Sequence, residues 1–213
     1  VLTSGEKDLG VAVVDIGSGV TDIIVYVDGG VFSSATLPWG GSHVTQDLSF
    51  GLKIPMEAAE LVKRNSGCVQ IAAVDPIEKI ELPAMSGRPP RWVLRQEIAA
   101  IMEPRMREIF ELVDQELMRS GKKNALSGGV VITGGGSRVE GAASLAEEVF
   151  SMAVRKGNPL PLGGFFDKVD GPEFATSVGL LIGAAQSTDT AGKAPRESGS
   201  GWMQKLRSWV SEN

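Results

Sequence analysis

The run Gly10 to Ile16 (Gly-Val-Ala-Val-Val-Asp-Ile) is apolar and β-branched, and it leads into Gly17-Ser18-Gly19 before a second β-branched run starts at Thr21. This strand, glycine turn, strand layout constrains the fold more than any other feature of the chain. Residues 10–16 read as a buried strand, and residues 21–28 and 31–37 as two more. The link between the latter pair, Asp28-Gly29-Gly30, suits a tight hairpin, because glycine takes positive φ without steric cost. Three such strands make an antiparallel meander. A dinucleotide-binding fold starts differently, with a crossover helix after its first strand.

Further along, Ser42 reads as the N-cap of a helix carrying Val44, Leu48 and Leu52 at intervals of four. Pro55 opens a second helix through about Arg64, closed by Gly67. Residues 69–94 are strand-like but interrupted by prolines, which suggests a small β insertion with a loop at Ser86–Pro90. The longest helix spans about 95–120, with Ile98, Ile101, Met102, Ile109, Leu112, Val113, Leu117 and Met118 recurring at three and four. Pro104 lies inside it, as a kink or a junction. A strand at 129–133 then enters Gly134-Gly135-Gly136, with a helix starting near Ser137. A last core helix is expected from Pro172, bearing Phe174, Val178, Leu181, Ile182 and Ala185. Residues 187–200 have linker composition, with a coil span of about 20 Å.

Composition removes several function classes. One cysteine, Cys68, leaves no intramolecular disulfide, and with one histidine, His43, a Cys/His zinc site is excluded. Both read as structural residues. The net charge of −5 disfavours nucleic acid as a partner, since non-specific affinity for its backbone comes from clustered Lys and Arg. No apolar run reaches the roughly 18–20 residues of a membrane-spanning helix. There is no secretory signal pattern, and a start at Val1 suggests a fragment.

Glycine makes up 27 of the 213 residues, against a usual share of about 7%, and much of it is clustered. In Asp15-Ile16-Gly17-Ser18-Gly19-Val20-Thr21-Asp22, successive backbone N–H groups can wrap a phosphate. The acid at its edge can hold Mg²⁺ through water. An ordinary hairpin turn fits the spacing equally well, and neither the P-loop nor the dinucleotide pattern does. In Val130-Val131-Ile132-Thr133-Gly134-Gly135-Gly136-Ser137, glycines let a flat ring or a phosphate approach the backbone. Close strand–helix packing explains one glycine there, but three in a row poorly. Trp39, beside Gly40-Gly41, fits either a position under such a site or simple core burial.

The final segment, residues 201–213, reads as an interfacial helix. At about 100° per residue, Trp202, Met203, Leu206, Trp209 and Val210 share one stripe. Lys205 and Arg207 flank it, where their stems can snorkel toward lipid headgroups. The alternative is a helix docked on the protein's own core, for which a preceding flexible linker has no use.

Together these motifs resemble the actin-like ATPases. Asp15–Asp22 is similar to that superfamily's second phosphate loop, and Gly134–Ser137 to its adenosine motif. Met56–Arg64, Ile101–Ile109, Pro172–Leu181 and the amphipathic end resemble the FtsA family of bacterial cell-division proteins in particular. The resemblance runs over essentially the whole chain and corresponds to the C-terminal half of such a protein. It implies an α/β fold of the actin-like, ribonuclease-H-like type, with a base subdomain at 1–65 and 128–186. Residues 66–127 would form a smaller inserted α/β subdomain, 187–200 a linker and 201–213 an amphipathic membrane helix. ATP and Mg²⁺ are the implied ligands: Gly17, Ser18 and Gly19 at the phosphates, Asp15 near the metal, Glu60 and Lys63 beside the adenosine, and Gly134, Gly135, Gly136 and Ser137 closing on base and sugar. From the residues alone, Glu60 and Lys63 read as a solvated helix pair.

Where the family turn carries glycine and threonine, this chain has Ser18 and Val20. The first phosphate loop and the water-positioning region would belong to the other half, so hydrolysis by this half alone is not expected. The resemblance further implies self-association into filaments and contact with other division proteins. It also implies binding of the FtsZ C-terminal peptide by the inserted subdomain. Arg88, Arg91, Arg95, Arg105 and Arg107 are the candidates for that contact, a solvated surface being the simpler reading. The implied location is the cytoplasmic face of the cell membrane at the division site, and the implied role is to anchor the FtsZ ring there. A phosphotransferase or a chaperone-type ATPase of the same superfamily are the alternatives. The first needs a catalytic Asp that is absent here, the second a substrate-binding β domain.

Overall fold

A computed structural model describes residues 1–82, 89–160 and 168–190. The meander is present: β1 (Val11–Ile16), β2 (Thr21–Val27) and β3 (Gly30–Leu37) pair antiparallel in order. Asp28 and Gly29 connect β2 to β3 with φ of 50° and 78°. Positive φ at both central residues is the type I′ geometry whose twist matches that of paired strands. β6 (Val130–Thr133) then lies parallel to β1, and β7 (Val154–Lys156) parallel to β6, giving the sheet order β3-β2-β1-β6-β7.

The core is built mostly on one face of this sheet. Ala12, Val14, Ile16, Ile23, Val25, Val130 and Ile132 point into a cluster closed by four helices: α2 (Gly41–Leu52), α3 (Met56–Ser66), α4 (Arg95–Arg119) and α5 (Ala142–Phe150). Val11, Val13 and Val131, one residue out of phase, form a small cluster on the opposite face with Leu2. Period-two alternation therefore sends Asp15 and Thr133, direct neighbours across β1 and β6, to that thinly covered face. The N-terminal α1 (Ser4–Leu9) carries a complete capping box between Thr3 and Glu6. It was not anticipated from hydrophobic periodicity, since it buries none of its residues.

Helix α4 is continuous through Pro104. The ring lies on the exposed side, so the carbonyl it leaves unpaired, one turn back, faces solvent rather than the core. Its inner face (Ile98, Met102, Met106, Phe110, Val113, Leu117) belongs to the main cluster. Within 66–127, the element with a sheet of its own is the antiparallel pair β4 (Lys79–Leu82) and β5 (Arg91–Leu94). The loop expected at Ser86–Pro90 lies largely outside the described residues, as does Arg88.

Three expected helix starts are corrected. Ser42 is not the N-cap of α2: Gly40 is, and its N–H donates to His43 Nδ1 at 3.1 Å. The glycine triplet leads not into an α-helix near Ser137 but into a 3-10 turn, Gly135–Arg138, and α5 starts only at Ala142. Pro172–Phe174 is likewise a 3-10 turn before α6 (Ala175–Thr190). Of the residues assigned to that last helix as core, Val178 is buried whereas Leu181 is exposed. Helix α6 also runs four residues into the stretch read as linker. The chain divides into compact units at 1–178 and 179–213. Residues 191–213, including the whole tail segment, lie outside the described residues.

Phe110 is fully buried and meets Phe150 edge-on at 5.5 Å between ring centroids. Phe110→Ala is expected to cost about 3–5 kcal/mol, read as a lower urea midpoint at unchanged slope. A cost below about 1 kcal/mol would show that α4 does not share the main core.

Candidate functional site

The parallel pairing of β1 with β6 brings the two glycine turns, more than 110 residues apart in sequence, to one edge of the sheet. They touch. Gly134 has φ of +81°, and a side chain there would collide with the Asp15 carboxylate and the Ile16 backbone. A side chain at Gly136 would strike the Ile16 side chain. Packing thus accounts for two glycines of the triplet. It does not account for Gly135, which is exposed and has open space where its Cβ would stand.

In the first turn, the carbonyls of Gly17, Ser18 and Val20 are bonded, while two N–H groups are left over among the described residues. The Gly17 carbonyl accepts from Gly41 N at 2.9 Å, and the Ser18 carbonyl from both Ser42 N and Ser42 Oγ at 2.8 Å. The start of α2 therefore clamps the turn by its oxygens. Gly17 N donates to Val20 O at 3.0 Å, but the N–H groups of Ser18 and Gly19 have no acceptor among the described residues. The second turn shows the same division: Gly134 N donates to Pro172 O at 3.1 Å, and those of Gly135 and Gly136 have no acceptor among the described residues. Ser137 is fully buried, and its hydroxyl donates to Gly134 O at 2.7 Å, so it closes the turn rather than offering a side chain. Because no α-helix begins here, anion attraction rests on individual N–H groups and not on a helix dipole.

Asp15 stands where the turns meet. Its Oδ2 accepts from the Thr176 hydroxyl at 2.6 Å. Among the described residues no group of three or more His, Cys, Asp or Glu could cage a metal. A lone carboxylate beside unsatisfied N–H donors fits Mg²⁺ held through water and ligand phosphates, which is how Mg²⁺ usually binds.

Of the pair Glu60 and Lys63, the glutamate side chain remains 43% exposed but the lysine is drawn into the structure. The Lys63 ammonium reaches Gly41 O at 2.9 Å, Thr45 Oγ1 at 2.7 Å and Glu60 Oε2 at 2.7 Å, with its side chain 11% exposed. Thr45, buried on α2, also lies 2.5 Å from Glu60 Oε2. Lys63 thus grips the first turn of α2, the same turn that clamps Gly17 and Ser18.

The arginines are not assembled into one free cationic patch. Arg91 donates to Leu52 O, and Arg95 holds Ser66 O at 3.0 Å together with Glu78 and Glu140. Arg105 pairs with Asp47 on α2 and lies over the Trp39 ring, whereas Arg107 pairs with Glu148 on α5 and with Glu103. Two positions apart on a helix, these two face different neighbours. Trp39 is half-buried against His43, and its carbonyl accepts from Thr21. Sequence reasoning missed Thr45, Pro172 and Thr176. A buried threonine beside an apolar stripe looks like core, and no spacing rule links Thr176 to Asp15 across 161 positions.

Burial alone would raise the Glu60 carboxyl, but hydrogen bonds from Lys63 and Thr45 outweigh it and hold the group below its ordinary value. A depressed carboxyl contributes stability above its unfolded pKa and loses it as pH falls through the folded one. Glu60→Gln should therefore melt lower than the parent at pH 7. The gap should close as pH falls below about 4.3, in thermal unfolding across that range. A gap independent of pH would exclude the ionised pairing.

Comparisons with known proteins place this geometry in a family. The family model "Cell division protein FtsA" matches residues 12–179. Cell division protein FtsA of Pseudomonas aeruginosa is 40% identical over 222 residues, covering 100% of this chain and 53% of that protein. The Escherichia coli protein is 38% identical, with 99% and 53% covered. The chain therefore spans about half the length of these relatives. MreB5 of Spiroplasma citri bound to ADP superposes with a TM-score of 0.62 at 18% identity, covering 88% of this chain and 57% of that one. A non-polymerising MamK mutant bound to AMPPNP gives 0.58 at 24%, covering 81% and 53%. The fold is accordingly actin-like. With its donor-bearing turns set at adjacent ends of β1 and β6, the chain belongs to the FtsA family of cell-division proteins.

Proposed function

We propose that this chain supplies one wall of an ATP cleft in a membrane-tethered scaffold that anchors the FtsZ ring at the division site. The observation that carries the nucleotide reading is the convergence of two glycine turns in which the carbonyls of Gly17, Ser18 and Gly134 are bonded internally, while the N–H groups of Ser18, Gly19, Gly135 and Gly136 have no acceptor among the described residues. Such donors suit phosphate oxygens, and the open space at Gly135 suits close approach of a ring or sugar. The MreB5 neighbours were solved with ADP and with AMPPNP. Asp15 would orient the water shell of Mg²⁺, which neutralises the phosphates when bound. The first phosphate loop and the water-positioning groups belong to the opposing wall in this reading. ATP then acts by favouring a closed, polymer-competent arrangement through differential binding, and this wall alone is not expected to hydrolyse it.

Self-association suits the surface. Helix α4, about 37 Å long, separates two unlike surface features. At its start the β4–β5 region exposes Ile77 and Trp92. At its end an open cleft of about 590 Å³ mixes Met118 and Met152 with Lys123, Asn124, Ser127 and Ser151. A head-to-tail contact between unlike surfaces propagates into a filament. Arg91 and Arg95, near Trp92, remain candidates for receiving an acidic FtsZ peptide, although Arg95 would have to exchange internal partners to do so. The tail at 201–213 supplies the membrane contact in this scheme. Its side-chain charges sum to only +1, so apolar burial by Trp202, Met203, Leu206, Trp209 and Val210 must dominate, and many tails on one filament would make a weak contact durable. Among the described residues no helix is long and apolar enough to cross a membrane.

Two measurements test these readings. Gly135→Ala should leave the melting temperature nearly unchanged but weaken binding of a fluorescent ADP analogue by roughly tenfold, about 1.4 kcal/mol. Unchanged affinity would remove the second turn from the site. In liposome flotation, Trp202→Ala/Trp209→Ala should stay at the bottom of the gradient while the parent floats, and equal flotation would sink the anchor.

A further inference from the structure

The segment Gly171–Thr176 straps the two glycine turns together. The Pro172 carbonyl accepts from Gly134 N at 3.1 Å and from Thr133 Oγ1 at 3.3 Å. Glu173 pairs with Arg138, which ends the second turn. Four residues after Pro172, at the start of α6, Thr176 donates its hydroxyl to Asp15 Oδ2 at 2.6 Å. The other Asp15 oxygen lies against Gly134, in space that exists only because Gly134 has no side chain. The carboxylate is therefore fixed at one oxygen by a hydroxyl and bounded at the other by a backbone.

We infer that Thr176 is a positioning residue for Asp15. It holds the carboxylate away from the unsatisfied N–H groups of the first turn and turned to face a hydrated divalent cation on a bound nucleoside diphosphate. The inference rests on the nucleotide reading above and adds a residue to it. The physical reason is competition. Ser18 and Gly19 N–H groups lie in the turn that follows Asp15, and an untethered carboxylate in reach of free amides is itself an anion that can occupy them. A carboxylate tied to Thr176 leaves those donors for phosphate, and it keeps its other oxygen for water on the metal. A hydroxyl is the appropriate tether. It satisfies one lone pair of the acid without introducing a positive charge that would repel Mg²⁺, as an Arg or Lys at the same place would.

The test measures binding of a fluorescent ADP analogue, with Mg²⁺ or with EDTA, to the protein carrying this chain with both walls of its cleft present. The forms compared are the parent, Thr176→Val, Thr176→Ser and Asp15→Asn. Thr176→Val should lose most of the gain in affinity that Mg²⁺ gives the parent, a reduction of about three- to tenfold, the scale of one lost hydrogen bond. Thr176→Ser, which keeps the hydroxyl, should restore it. Added to Asp15→Asn, Thr176→Val should change little, because the carboxylate it positions is gone. A merely structural threonine would lower affinity equally with and without Mg²⁺, would not be rescued selectively by serine, and would act unchanged in the Asp15→Asn background. Any of those three results overturns the assignment. Failure of the parent to bind the analogue at all overturns the nucleotide reading, and this inference with it.

Discussion

The parallel contact between β1 and β6 is what the rest of the molecule is arranged around. With Asp15 set opposite Thr133, the candidate site follows from what happens within the next two residues of each strand. Both strands end in glycine turns, and the turns lie so close that Gly134 and Gly136 cannot carry side chains. Closeness alone would give a sealed sheet edge. The edge keeps free donors among the described residues, where the surrounding chain takes three of the carbonyls. The α2 start takes the carbonyls of Gly17 and Ser18, and Ser137 takes that of Gly134. Unsatisfied carbonyls would repel a phosphate, whereas unsatisfied amides attract one.

That selectivity depends on the helical layer being rigid, and the charged residues make it so. Lys63 is nearly buried, and a buried ammonium is tolerable only when all three donors are met. Gly41, Thr45 and Glu60 meet them. Arg105 and Arg107 fasten α4 to α2 and to α5, and their acidic partners hold both guanidiniums even further into the charged state than usual. A helix start cross-linked in this way cannot drift without moving Gly17 and Ser18. The side chains that look from sequence like a solvated surface are struts beneath the site.

Much of the sheet was legible in the sequence because its signal is local. Apolar β-branched runs ending in glycine specify β1 and β2, Asp28-Gly29 specifies their hairpin with β3, and the stripe from Ile98 to Leu117 specifies α4. The errors have a common source, in that they concern choices between local options made by distant atoms. Ser42 is a good N-cap by type, but its hydroxyl is claimed by Ser18, 24 residues away. The N-cap is Gly40, and the His43 ring that accepts its N–H has no such propensity. Leu181 has the spacing of a core residue, yet periodicity states which residues share a face and not whether anything covers it. Gly134, Gly135 and Gly136 look alike in sequence. Only the neighbouring strand separates the two that are needed for packing from the one that is free.

The departure at Ser18 can be judged in the same terms. A turn that usually carries glycine at this position would be expected to strain around a side chain if it needed left-handed φ. Here it does not: Asp28, Lys53 and Ser151 are the non-glycine residues with positive φ among the described ones, and Ser18 is not among them. Its side chain is exposed, so it adds no burial cost, and its backbone carbonyl is one of the two that α2 clamps. The substitution therefore leaves the backbone donors of the turn intact and adds a hydroxyl beside them. The opposite change at Val20 removes a hydroxyl from an exposed position while leaving its carbonyl, which accepts from Gly17 N, untouched. The proposed phosphate site, built from main-chain N–H groups, would tolerate both changes, because neither alters which groups of the backbone are left unpaired.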